Sequence, residues 1–570
     1  MNTRSIPPLF TVIALVAACS PSPNATSADG ATTTATTGTT TGTATSTATG
    51  TATGTATSTA TSPDTTDTAS TTEDPTGSPL QPPIGITFDL HPDPFPQNTS
   101  LEVRRVDFQR QLDNIEWLLD TVEPYGVKIS FLAAGEFYEF CLEESERDAC
   151  FPIIERLYQN SGVISTHHHD NMRAGAHDWP AIDRTDPVQV DAVWADNNAM
   201  TNEVIRQALG IEGDADQRAI NVATESHVPE DLERKAMLME EFGYTVREGG
   251  GDQILAAYFG HQPFQPFRPG DTVISEDLST PFVTVPQGMV IGEFGDHANV
   301  WQDGRAPHKT ADFLQLLVNW SERERLGEAP KVWSFGWGAH SQDFDPGSPS
   351  RQAVEEFIPW LSENMVNVTS GAGHPVARFA SYIETRDQLI AWEEEHPGES
   401  SFDYPLMEED FAAYPYLEWA NRYLRVVDFE ATVDAPEGLR IFRLAGEGHP
   451  LLLVIPWGAS EPVKVDASSL GGAEVRRVDL TSGDTVTLDA ADVEVGPGPA
   501  LLCLPEDCDA ILAIEPGGDT PCAIGCEADM VCCPDALPCA GQCVPDCRVD
   551  GNTCPPPQPT CNPMTGLCSA

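Results

Sequence analysis

Three stretches of this chain end in residue types that hold cations and move protons. In Val163-Ile164-Ser165-Thr166-His167-His168-His169-Asp170, three imidazoles and a carboxylate follow a short apolar run. Side chains alternate along a strand, so His167 and His169 share one face while His168 points to the other. Two imidazoles on one face form a ligand pair for a divalent ion such as zinc. The same letters also fit a polar, histidine-rich loop. A second stretch, Ile86-Thr87-Phe88-Asp89-Leu90-His91, ends in a carboxylate and an imidazole, with Asp93 close behind. A third, Ser334-Phe335-Gly336-Trp337-Gly338-Ala339-His340, ends in an imidazole. Asp89 also suits the role of a turn cap, and His340 that of a hydrogen-bonded core histidine.

Apolar strands that each end in His or Asp are how a (β/α) barrel builds a site at one rim. The intervening segments fit that plan. Leu112, Ile115, Leu118, Leu119 and Val122 recur at helical spacing before Pro124-Tyr125-Gly126. Val127–133 reads as the next strand and 151–159 as the next helix. The alternation runs on through helices at 191–209, 230–242, 310–324 and 352–364 and strands at 218–224, 244–247, 332–335 and 377–382. Strand, helix, strand in sequence implies parallel pairing with helical crossovers. The expectation for 83–397 is an α/β fold, a distorted (β/α) barrel of seven or eight strands. Residues 252–306, rich in Pro and Gly, read as an insertion able to wall a cleft.

From 398 to 515 the pattern changes to short strands parted by Gly, Pro and Asp, the signature of a small all-β sandwich. From 516 to 570 ten cysteines sit among Pro, Gly and Asp, so this module needs disulfides for stability. Cys141 with Cys150, and Cys503 with Cys508, are placed to close local loops. At the other end, residues 1–19 carry a short apolar run, too brief for a permanent membrane span. Its end, Val16-Ala17-Ala18-Cys19, resembles the lipobox of bacterial lipoproteins, which implies a lipid anchor on Cys19 and an exported protein at the outer membrane or cell surface. Residues 20–82, made of Thr, Ala, Ser and Gly, read as a disordered tether. With 31 basic and 87 acidic side chains the formal charge is -56. Such a surface repels nucleic acid and anionic membranes, leaving the lipid as the sole membrane contact.

Thr87-Phe88-Asp89, Ile164-Ser165-Thr166-His167 and the late strand ending in His340 are similar to motifs of the polysaccharide deacetylase (NodB-homology) family. The resemblance implies metal-dependent removal of acetyl groups from a glycan. Asp89 would be the base that deprotonates water and His340 the acid for the leaving group. His167 and His169 would be metal ligands, completed by His91 or Asp93. The family's second Asp is Leu90 here, and its second His falls on Asn171. Glu225 and His227, Arg247, and Trp337 are candidates for contacting the sugar. Two other readings stand beside this one. A barrel followed by a β-sandwich also suits a glycoside hydrolase, which needs two carboxyls about 5–10 Å apart, here Asp89 with Glu225 or Glu248. A barrel without its metal would instead be a glycan-binding lipoprotein.

Overall fold

A computed structural model describes residues 81–92, 100–168, 186–211, 219–222, 229–248, 264–270, 276–286, 291–292, 304–402, 415–459 and 461–514, with four short strands beyond 529. All belong to one compact unit, Glu73–Ala570. The first part runs β1 (Ile84–His91), α1 (Leu101–Val122), β2 (Ile129–Ala133), α2 (Gly135–Leu142), α3 (Arg147–Ser161), β3 (Ile164–His168), α4 (Pro187–Leu209) and β4 (Ala219–Val222). It continues with α5 (Pro229–Glu241), β5 (Val246–Glu248), β6 (Val283–Val285), α6 (Ala306–Leu326), β7 (Ser334–His340), α7 (Pro349–Leu361), β8 (Ala377–Phe379) and α8 (Tyr382–Glu395).

The eight strands form one parallel sheet in the order β6-β5-β4-β3-β2-β1-β7, with β8 also paired to β1. Every residue of β1 is buried, as expected of a central parallel strand covered on both sides. Ile86, Phe88 and Leu90 lie in the apolar cluster that includes Phe108, Leu112 and Ile115 of α1. Thr87, Asp89 and His91 therefore occupy the inner face. Leu132, Val163, Ala219, Val246 and Val283 pack together in a second cluster. This is the expected distorted (β/α) barrel.

The sheet closes through irregular chain. Phe267 exchanges backbone hydrogen bonds with Thr284 of β6, and the Phe264 carbonyl accepts from Ser334 of β7. Residues 264–267 thus bridge the two edge strands, supplying partners for backbone groups that burial would otherwise strand. Higher on β7, the Ile291 amide donates to the Gly338 carbonyl. Gly292 has φ +86°, and a Cβ there would fall 2.3 Å from the Cα of Ser350. Only glycine lets this segment lie against the start of α7.

The second part holds α9 (Pro415–Leu424), β9 (Asp428–Val433), β10 (Leu439–Gly446), β11 (His449–Pro456), β12 (Val463–Val465), β13 (Glu474–Asp479), β14 (Thr485–Asp489), β15 (Val493–Val495), β16 (Ala500–Cys503) and α10 (Pro505–Ala513). Six strands pair as β14-β13-β16-β11-β10-β9, and β12 pairs with β15. Alternation divides β11 between two cores. Leu452 and Val454 face β12 and β15, while Leu451, Leu453 and Ile455 join the same cluster as Phe313 of α6 and Phe335 of β7. Disulfides join Cys141 to Cys150 and Cys503 to Cys508. No helix among the described residues is long and apolar enough to cross a membrane.

Candidate functional site

The chemistry-bearing ends of β1, β3 and β7 meet at the C-terminal rim of the barrel. Asp89 is fully buried, and its Oδ2 lies 2.9 Å from Nδ1 of His91. With the proton on Nδ1, His91 donates to the carboxylate and its Nε2 carries the lone pair. The parallel register sets His91 opposite His340, and the two rings meet edge to face at 4.4 Å. On its face, His91 is stacked at 4.6 Å against His167, with the planes 9° apart. His340 Nδ1 is 3.0 Å from Asp343 Oδ2 in the turn that follows β7. The result is three contiguous imidazoles, with carboxylates on the middle one and on one end.

Small residues make this contact possible. β2 lies between β1 and β3, yet it ends at Ala133, and Ala134 brings one methyl group to the rim. The Ala134 amide donates to the Pro92 carbonyl just past His91. Gly336 and Gly338 sit in register with Thr87 and Asp89, so β7 sets no side chain next to the carboxylate at these two positions.

His168 takes the opposite face of β3. Its ring stacks at 4.3 Å on Trp194 of α4, and its Nδ1 is 3.0 Å from the Asn197 amide. On that same face Thr166 bonds to Thr201 and to the Tyr244 hydroxyl. From α2, the Tyr138 hydroxyl donates to the Ser165 carbonyl, and burial holds this phenol well above its ordinary range, so it stays a donor. β3 is thereby gripped by α2 and α4 just where it presents His167.

The structure brings together Asp89, His91, His167 and His340. It does not make a coordination shell of them. The Asp89 carboxylate is turned onto His91, and the His91 and His167 rings lie face to face instead of aiming nitrogens at one point. Among the described residues no group of three or more His, Cys, Asp or Glu is arranged to hold a metal ion. His169, Asp93, Glu225, His227 and Cys19 lie outside the described residues, as does the side chain of Glu248.

Trp337 is a correction. It is fully buried and packs at 5.1 Å on Phe88 and 5.2 Å on Phe357, because alternation turns it away from the face of Gly338 and His340. It cannot stack on a sugar. Arg247 is in register with Ile220 and Thr284. Ile220 packs with Trp194 in the layer under α4, so alternation sets Arg247 on that side of the sheet. Leu90, where the resembled family has a ligand Asp, is fully buried among the apolar groups under α1. Sequence reasoning overlooked Asp343 and the pairing it gives His340. The signal was an acid three residues after a histidine, across one tight turn.

No family model matches the chain, and no curated protein matches it. Among solved structures it is similar to an Anoxybacillus alpha-amylase, with 12% identity and a TM-score of 0.20 over 74% of this chain and 98% of that one. An alpha-amylase from Geobacillus thermoleovorans, complexed with acarbose, gives 10% and 0.24 over 74% and 97%. A GH30 endoxylanase from Clostridium papyrosolvens gives 7% and 0.21 over 75% and 97%. Likeness at this level bears on neither site nor reaction. The expected polysaccharide deacetylase family is not borne out: no family model matches the chain, and the similar solved structures are glycosyl hydrolases by name.

Proposed function

We propose that this chain is a carbohydrate-active hydrolase that cleaves glycosidic bonds at the rim where Asp89, His91, His167 and His340 meet. The observation that carries the reading is the buried Asp89–His91 pair. A carboxylate that accepts from Nδ1 fixes the tautomer and direction of the imidazole and steadies the cation it becomes. In the reaction, His91 takes a proton from the attacking water while Asp89 holds the ring. His167 on the face of His91 and His340 at its edge keep that ring from turning. The setting supports the reading, since barrel enzymes place their chemistry at the C-terminal ends of strands. A barrel followed by an antiparallel sandwich suits a glycoside hydrolase, an argument from analogy of fold. A glycan is the partner, and a lipid on Cys19 would hold the enzyme at the cell surface.

The test is release of reducing ends from a panel of α- and β-linked polysaccharides by the purified protein and by Asp89→Asn. Release by the parent chain and its loss in the variant are expected. No release from any glycan, or equal release by both proteins, would overturn the reading. The anchor is tested separately by metabolic labelling with a radioactive fatty acid, with Cys19→Ser as the chain that should take up none.

A further inference from the structure

The three imidazoles of the rim differ in what reaches them. The His340 side chain keeps 23% exposure, against 6% for His91, and His167 is buried. A glycan arriving at the rim therefore meets His340 first. The Nδ1 of His340 lies 3.0 Å from Asp343 Oδ2. A carboxylate only accepts, so this contact sets the ring proton on Nδ1. That makes Nε2, the nitrogen remote from Asp343, an acceptor. Sugar hydroxyls are the donors such a nitrogen takes.

The turn that carries Asp343 is held from two helices. From α1, Asn114 donates to the Ser341 carbonyl at 3.0 Å and to Asp345 at 3.2 Å, and Gln111 accepts from the Ser341 hydroxyl at 2.8 Å. From α7, Arg351 Nε donates to the Phe344 carbonyl at 2.6 Å. The same guanidinium lies 4.2 Å over the Trp117 ring of α1. The chain is thus fixed on both sides of Asp343, although Asp343 itself is 39% exposed. An exposed pair of this kind adds little to stability, so the clamped turn is accounted for by the direction it gives His340. We propose that His340 binds a sugar hydroxyl through Nε2, and that Asp343 is the positioning residue that fixes this tautomer. The inference rests on the glycosidase reading above. No covalent bond changes at His340: it seats the substrate, while Asp89 and His91 act on water.

The experiment compares the parent chain with Asp343→Ala and Asp343→Glu on the polysaccharide that the parent cleaves fastest. Asp343→Ala is expected to raise KM about five- to tenfold, the loss of one oriented hydrogen bond, with kcat changed by less than about threefold. Its melting temperature should be retained. Asp343→Glu, which keeps an acceptor, should bring KM back toward the parent value. Nitrogen NMR of histidine-labelled protein at about pH 8.5, where imidazole is ordinarily neutral, reads the tautomer directly. The His340 signals are identified by their loss in His340→Gln. The parent should show a protonated Nδ1 and a bare Nε2, and Asp343→Ala the reverse. An unchanged KM in Asp343→Ala, a fall in kcat at constant KM, or a protonated Nε2 in the parent would overturn the assignment while leaving the glycosidase reading standing. A parent inert on every polysaccharide would overturn that reading and the sugar contact with it. The parent tautomer needs no change at Asp343, so this arm decides even if Asp343→Ala does not fold.

Discussion

Replacing Leu90 by Asp tests the geometry on which the site depends. In a family that chelates metal, the residue after the catalytic Asp faces the pocket. Here it is fully buried in the cluster with Phe88, Phe108 and Leu112. Removing the leucine from that cluster costs about 2–5 kcal/mol in lost burial and cavity. The carboxyl that replaces it must stay neutral to remain inside. At about 1.4 kcal/mol per unit, holding a proton on a group of ordinary pKa near 4 costs about 4 kcal/mol at pH 7 and about 1.5 kcal/mol at pH 5. The sum at pH 7, about 6–9 kcal/mol, rivals the whole stability of an ordinary domain, about 5–15 kcal/mol. The folded-state pKa of the new carboxyl is raised, so its penalty is full above that pKa and fades as pH falls toward the unfolded value. Urea unfolding of Leu90→Asp followed by circular dichroism should show a deficit about 2–3 kcal/mol smaller at pH 5 than at pH 7. Leu90→Ala should lose only the first component and show no such pH dependence. An Asp variant as stable as the parent at both pH values would mean that residue 90 faces the pocket, and the inner-face assignment of Asp89 would fall with it.

Asp89→Asn should lower kcat by about 10²- to 10⁴-fold without lowering the melting temperature, since it removes a buried charge; hydrolysis assays with thermal melts check both, and full activity refutes the pairing. Tyr138→Phe removes the hydroxyl's bond to the Ser165 carbonyl, a group the β2–β3 ladder also engages, and should cost about 0.5–1.5 kcal/mol in urea unfolding; a neutral result would mean water replaces the hydroxyl. Converting Cys141 and Cys150 to Ser opens a loop with a sequence separation of 9 and should cost about 2–3 kcal/mol, read from the shift of the unfolding midpoint. Burial raises the Tyr423 phenol from 10.0 to about 12. Its contribution is intact below pH 10 and is lost as pH climbs toward 12, so Tyr423→Phe should flatten that alkaline limb of the stability curve.

Much of the barrel was legible because its strands and helices carry opposite periodicities. Ile86, Phe88 and Leu90 alternate with Thr87, Asp89 and His91, and this pattern alone assigns the polar trio to one face. The same rule separated His167 from His168. Alternation along β7 likewise sets Trp337 opposite Gly338 and His340, and the expectation that it contacts a sugar overlooked this. β9 and β15 escaped notice. β9 is half exposed and carries Asp428 and Glu430 among its apolar residues, while β15 is three residues long. The family resemblance failed at Leu90, where the letters around Asp89 matched but the packing under α1 did not.

The apolar cluster that runs from β7 through α6 into β10, β11 and β16 makes the two halves a single solvent-excluding body. A protein stopped after Glu395 would wet Phe313 and its neighbours, and the strands beyond, expressed by themselves, would wet Leu451 and Leu453. Neither half is a cassette that can be lifted out, so recombination that swaps the C-terminal strands between unrelated barrels would have to rewrite the flank of α6 at the same time.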